Sequence, residues 1–428
     1  MQASALTIAF ALALLASLLT KFWLTSRQIR HVAAHRNSVP PAFARSVSLE
    51  AHQRAADYTL AKSRLGVLTM GFSAIVLLGW TLLGGLDALN QVVHDVIRPR
   101  FGDMAYQLAL LFGVGLIGGA LDLPFDLYST FRLEQHFGFN RITWRLYLAD
   151  MLRNTLVGLV IGLPIAALIL WLMGATGEFW WLFAWAAWMA FNLIVLIIAP
   201  TMIAPLYNKF KPLDDESLKL RVQALMTRCG FSAKGLFVMD GSRRSAHSNA
   251  YFTGFGASKR VVFFDTLLKQ LSPGELDAVL AHELGHLKHK HVTKRIVLMF
   301  AASFAGFALL GWLSTQMWFY IGLGVRPLMD APNDALAVLL FLFAVPVFAF
   351  FLSPLTSQLS RKQEFEADAY ACQQSNGNDL AGALLKLHQD NASTLTPDPL
   401  YVRFYYSHPP ASERLAVLSR APSSLHAV

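Results

Sequence analysis

Seven stretches of this chain are long and apolar enough to cross a bilayer, and a soluble core has no use for so many. A spanning helix needs roughly 20 apolar residues at about 1.5 Å of rise each. The runs Ala3–Leu19, Leu65–Leu86, Met104–Leu123, Met151–Met173, Phe179–Ala199, Ile296–Tyr320 and Ala335–Leu352 meet or approach that length. The last carries Pro346 and has soft boundaries. Hydrophobic residues make up 55% of the 428, and charged residues only 15%. The expected class is therefore a mostly α, polytopic membrane protein whose solvent is lipid.

Orientation follows from Lys and Arg. Of the 36 basic residues, 33 fall in segments that seven spans place on one side. Only Arg98, Arg100 and Arg326 fall on the other. The basic side is expected to be cytoplasmic. The opening MQASALT has no positive charge, and basic residues follow the first apolar run. That order suits an uncleaved anchor with its N-terminus outside. The net charge of +9 is explained by this topology. No basic patch is interleaved with aromatics outside the membrane, so no nucleic-acid partner is expected. The lipid bilayer is the expected partner. Cys229 and Cys372 lack the spacing of a redox or zinc pair and read as ordinary thiols.

The chain divides into an N-terminal membrane region (1–200, five spans), a polar insert (201–295), two further spans (296–355) and a tail (356–428). In the insert, Leu218, Val222, Leu225 and Met226 recur at helical spacing. Gly235–Asp240 reads as a strand, and Ser248–Asp265 as two strands around a Gly-rich turn. A helix is expected from Pro273 to about His291. Ser272 suits its N-cap, Pro273 its first position, and Glu275 completes a capping box.

That helix carries AHELGHLKHKH. His282 and His286, four residues apart, share one face and can grip one ion. Glu283, beside His282, can act on the ion's open position without binding it. This is the HExxH arrangement of two zinc ligands and a general base. A catalytic zinc usually takes a third protein ligand and keeps one position open. The tail offers SRKQEFEADAYA, Ser360–Ala371. Glu364 and Asp368 share a helical face there, while Glu366 points roughly away. Spacing leaves both Glu364 and Asp368 as candidates, one for the metal and the other to orient a ligand histidine. His289 and His291 do not share the metal face well and are expected at the helix C-terminus, near the membrane surface.

Several stretches together resemble the Ste24-type CAAX prenyl proteases, the M48 family of integral-membrane zinc metalloproteases. They are Pro124–Asn140, Ile203–Leu213, Asp240–Gly256, HELGH, SRKQEFEADAYA and Tyr405–Leu415. The resemblance covers nearly the whole chain and includes five spans before the zinc helix. It implies one zinc ion per chain, with Glu364 as third ligand and Asp368 behind it. It implies that Asn249, Ala250 and Tyr251 hold an extended polypeptide substrate, and that His408 sits near the scissile carbonyl. It also implies a ring of seven helices around a water-filled chamber, capped by a cytoplasmic α+β protease domain with a small sheet. Asp122, Asn154 and Asn192 would lie at membrane depth. There a lipid-facing Asp is disfavoured by about 2.5–3.5 kcal/mol, and a wet chamber removes that cost.

The resemblance implies cleavage of prenylated CaaX-type peptides, releasing the last three residues. The membrane would be the inner membrane of a bacterium or the endoplasmic reticulum of a eukaryote. A quality-control metalloprotease with the same chemistry is the nearest rival. A non-catalytic transporter or scaffold with a structural metal is the rival of another class. It would need a fourth protein ligand, and EFEAD has no Cys or His to supply one.

Overall fold

The computed structural model describes residues 2–232, 235–247, 250–253 and 260–419. Seven of its helical stretches are long and apolar enough to span a membrane. In six of them only 6–17% of the apolar stretch is buried against protein, whereas in the last, Asp334–Gln374, the share is 44%. The last span is thus the one most covered by protein, and the rest turn side chains such as Leu68, Val160 and Val297 outward.

The first spans are α1 (Gln2–His35), α2 (Leu49–Trp80), α3 (Gly85–Tyr128), α4 (Trp144–Ala175) and α5 (Trp180–Ile198). Two boundaries differ from the sequence reading. The second predicted span runs past the true end of α2 at Trp80, and Leu86 already belongs to α3. The first half of α3, read as loop, is helical. It mixes Asp87, His94 and Arg98 with apolar residues, which hides it from a hydropathy window. Gly102, at φ 79°, kinks α3 where its apolar half begins. A cavity of about 1110 Å³ lies between α3 and α4 and takes in Asp122 and Asn154. Asn192 instead donates to the Trp188 carbonyl on its own helix, 2.7 Å away.

A short helix, α6 (Ala204–Tyr207), leads into the insert. Strands β1 (Phe210–Pro212), β2 (Gly235–Met239), β3 (Ala250–Thr253) and β4 (Arg260–Phe264) form one mixed sheet in the order β1-β2-β4-β3. β2 and β4 are parallel, and the other two pairs are antiparallel. The Gly-rich turn expected between β3 and β4 lies outside the described residues. Helix α7 (Glu216–Arg228), capped by Asp215, buries Val222, Leu225 and Met226. After α8 (Asp265–Gln270) comes α9 (Pro273–Lys288), with both bonds of the Ser272–Glu275 capping box formed. Its Leu276, Leu280 and Leu284 enter a core with Val222, Val261 and Phe263.

α9 stops at Lys288, earlier than the sequence suggests. Lys290 takes a left-handed conformation, φ 55°, and His291 opens the sixth span, α10 (His291–Ser314). Tyr320, expected in that span, lies in the separate short helix α11 (Met317–Gly322). The seventh span passes through Pro346 as α12 (Asp334–Ala349) and continues by one tight turn into α13 (Ser353–Gln374). The tail adds α14 (Gly377–Asp390), α15 (Pro399–Tyr405) and α16 (Ala411–Leu418).

α9 and α13 pack backbone to backbone. A Cβ on Gly285 would lie 2.9 Å from the Ala367 Cα and 3.0 Å from its carbonyl oxygen. A glycine is therefore required between the two histidines' helix and the acidic helix. Gly285→Ala should push the helices apart and cost about 1–3 kcal/mol. A thermal unfolding scan in detergent reads this as a lowered Tm. An unchanged Tm would mean the contact is not tight.

Candidate metal centre

The α9–α13 contact brings three side chains to one point. The Nε2 atoms of His282 and His286 are 3.3 Å apart. Glu364 Oε2 lies 3.5 Å from the first and Glu364 Oε1 lies 3.4 Å from the second. The three ligand atoms fall within 4.8 Å of one another. Among the described residues this is the one cluster of its kind, and it offers three ligands, not four.

The residues fit a cation. Glu364 Oε2 is buried and accepts no hydrogen bond. Leaving a charged acceptor so is costly unless a positive group fills the gap. Burial alone would lower the pKa of His282, but the neighbouring carboxylates of Asp368 and Glu364 push it up to about 9. Burial and the neighbouring His282 push His286 down to about 4. Two imidazoles and a carboxylate form a set suited to a tetrahedral zinc ion with one open position.

Each histidine is held from behind. His282 Nδ1 is 2.8 Å from Asp368 Oδ1, and the guanidinium of Arg414, on α16, grips both oxygens of that carboxylate. If Nε2 faces an ion, Nδ1 carries the proton and donates it to Asp368. The spacing of Glu364 and Asp368 left their roles open; in space, Glu364 faces the cluster and Asp368 lies behind His282. Arg414 was missed, although YYSHPPASERL contains it. Nothing in one sequence links a residue there to Asp368.

His286 has a different support, also missed. Its Nδ1 is 2.9 Å from Nδ1 of His291, whose Nε2 is 2.9 Å from Glu366 Oε2. The proton chain runs from His286 Nδ1–H to His291, and from His291 Nε2–H to Glu366. His291 was expected at the end of α9. The break at Lys290 instead starts a new helix at His291 and turns its ring back, leaving it 1% exposed. Glu366 points away from the cluster, and that direction is where His291 lies. His289 stays exposed and stacks on His291 at 5.5 Å between ring centroids.

The remaining candidates lie close by. Glu283 is half-buried, and burial raises its carboxyl pKa. His408 is exposed, with Nε2 3.4 Å from Glu364 Oε1. Ala250 and Tyr251 lie on β3, which packs against α9 and is the outer strand of the sheet. Asn249 lies outside the described residues. His408 also lines a cavity of about 890 Å³ between α1, α2 and the tail.

Residues 212–421 match peptidase family M48, and residues 28–209 match the CAAX prenyl protease N-terminal domain of five membrane helices. The chain belongs to peptidase family M48. This peptidase is 34% identical over 401 residues to a CAAX prenyl protease 1 homolog of Arabidopsis thaliana, covering 89% of this chain and 90% of that one. It is 32% identical over 417 residues to CAAX prenyl protease 1 of Saccharomyces cerevisiae, covering 92% and 91%. Its fold matches the crystal structure of S. mikatae Ste24p with a TM-score of 0.90 at 30% identity, over 96% of this chain and 99% of the other. It is a multi-pass membrane metalloprotease, which removes the transporter and scaffold reading.

The chain behind His286 sets its tautomer, so breaking it should weaken metal binding. His291→Phe keeps the ring and removes the acceptor. Zinc affinity, read by competition with a chromogenic chelator, should fall about 10–100-fold. An unchanged affinity would show that His291 only fills space.

Proposed function

We propose that this peptidase is a zinc endopeptidase that cuts near the C-terminus of CaaX-type polypeptides and releases the last three residues. The observation that carries the reading is the meeting of two imidazole nitrogens and an unpartnered carboxylate oxygen beside a cavity of peptide size. His282, His286 and Glu364 would hold one zinc ion per chain. The ion would supply Lewis acidity toward the peptide carbonyl and the attacking water.

The other groups have roles that follow from position. Glu283 takes the water's proton on its carboxylate and passes it to the leaving amine nitrogen. Burial favours the protonated form of this carboxyl and so suits it to the second transfer. His408 Nε2–H donates to the oxyanion developing at the scissile carbonyl, a contribution of about 3–4 kcal/mol in comparable sites. Asp368 accepts the His282 Nδ1 proton and fixes that ring. Asn249, Ala250 and Tyr251 would bind the substrate main chain by strand addition at β3, a mode largely indifferent to side chains. The names of the relatives support the CaaX substrate class. Isoprenylation of the native substrate is part of the proposal where the source makes such lipids. Nucleic acid has no part in it.

The excess of 33 of 36 basic residues on one side supports a cytoplasmic catalytic face and an N-terminus outside. The membrane is the inner membrane in a bacterium and the endoplasmic reticulum in a eukaryote.

The test compares matched farnesylated and unmodified CaaX peptides, cut by the wild type and by Glu283→Gln, with zinc quantified in both. The variant should keep one zinc and lose about 10²–10⁴ in rate. Strong preference for the farnesylated peptide supports the CaaX reading. Equal cleavage of both peptides moves the reading to quality control. Equal rates for wild type and variant would remove Glu283 from the mechanism.

A further inference from the structure

The cavity that His408 lines is nearly free of full charges. Its wall is built largely from tyrosines and small polar residues. Among its described lining residues, Lys62 is the one Lys, Arg, Asp or Glu side chain. Lys62 stands on α2, three residues before the apolar run that opens at Leu65, and its side chain is 55% exposed.

Its partners in the protein are few. Lys62 Nζ donates to Tyr58 Oη at 3.3 Å, and it lies 5.0 Å from the centre of that ring. Tyr58 Oη in turn donates to Glu134 Oε1 at 2.6 Å. Glu134 comes no nearer to Nζ than 3.9 Å, beyond hydrogen-bond reach, and is not part of the cavity wall. Tyr58 therefore occupies one ammonium proton and ties up the carboxylate. The remaining donors can face the cavity.

A peptidase that releases a fixed number of C-terminal residues can measure from the cysteine or from the chain end. The end is marked by one group, a carboxylate. Three extended residues put it about 10 Å beyond the scissile bond. A single cation in an otherwise uncharged cavity that opens on the catalytic histidine is the chemistry that reads such a mark.

We propose that Lys62 binds the free C-terminal carboxylate of the substrate. This rests on the peptidase reading given above. Lys62 would then set where the enzyme cuts: the carboxylate is held, and the scissile bond falls three residues back. Tyr58, by a hydrogen bond, and Glu134, by an ion pair at 3.9 Å, position the ammonium group from behind and leave donors for the substrate carboxylate.

The experiment uses the full-length, zinc-loaded protein in detergent. Two pairs of ligands are compared: farnesylated peptides ending Cys-Val-Ile-Met, as free acid and as C-terminal amide, and the tripeptide Val-Ile-Met in the same two forms. Cleavage is measured on the first pair and binding on the second, for wild type, Lys62→Met and Lys62→Arg. The wild type should prefer the acid by about 10–100-fold, the range expected for one charged hydrogen bond. Lys62→Met should lose that preference and cut acid and amide at similar rates. Lys62→Arg, which keeps the charge, should retain most of it and controls for folding. A wild type that treats acid and amide alike overturns the proposal, and so does a preference that survives in Lys62→Met. If neither peptide is cut, the activity assigned above fails. The binding pair still decides the role of Lys62.

Discussion

The centre depends on the contact between α9 and α13 at Gly285 and Ala367. Each helix is an extension of the membrane region. α9 is joined to the sixth span across the single residue pair His289–Lys290, and α13 follows the seventh span through one tight turn. The three ligand atoms therefore sit at the junction of two spans. Their spacing is set by how closely two backbones approach, and a missing Cβ allows that approach. Packing, not the ligands, determines the distance. The ligands supply the charge that such close packing needs to hold an ion.

Much of this could be read from the sequence because it is local. The capping box, the apolar face of α9 and the pair His282–His286 all arise within one helix, where the 3.6-residue period fixes direction. The seven spans could be read for the same reason, since apolar length survives any tertiary arrangement. What could not be read depends on contacts distant in sequence or on unusual backbone. The roles of Glu364 and Asp368 are separated only by which of them faces α9. The return of His291 depends on a lysine in the left-handed region, which no propensity announces. The first half of α3 is helical because of its neighbours, although its composition resembles a polar loop.

The two ligand histidines differ in their support, and the difference has an electrostatic reason. Asp368 lies directly behind His282, on the same buried side as Glu364. Two bare carboxylates there would repel one another and would offset much of an ion's charge. Arg414 prevents this. It takes both oxygens of Asp368, so this carboxylate can accept the His282 proton while contributing little net negative charge.

Behind His286 the same task is done without a buried charge. A neutral imidazole, His291, takes the proton, and the carboxylate that completes the chain, Glu366, is one-third exposed and partly screened by water. Each ligand ring is thus fixed in one tautomer, and in neither case is a full negative charge left beside the ion. A metal held this way keeps its power to polarise a carbonyl. Glu364 is then the one anion among the three candidate ligands, and a divalent ion held there would keep a net positive charge. On the reading proposed above, the substrate's carbonyl oxygen would develop its negative charge there, near the exposed His408.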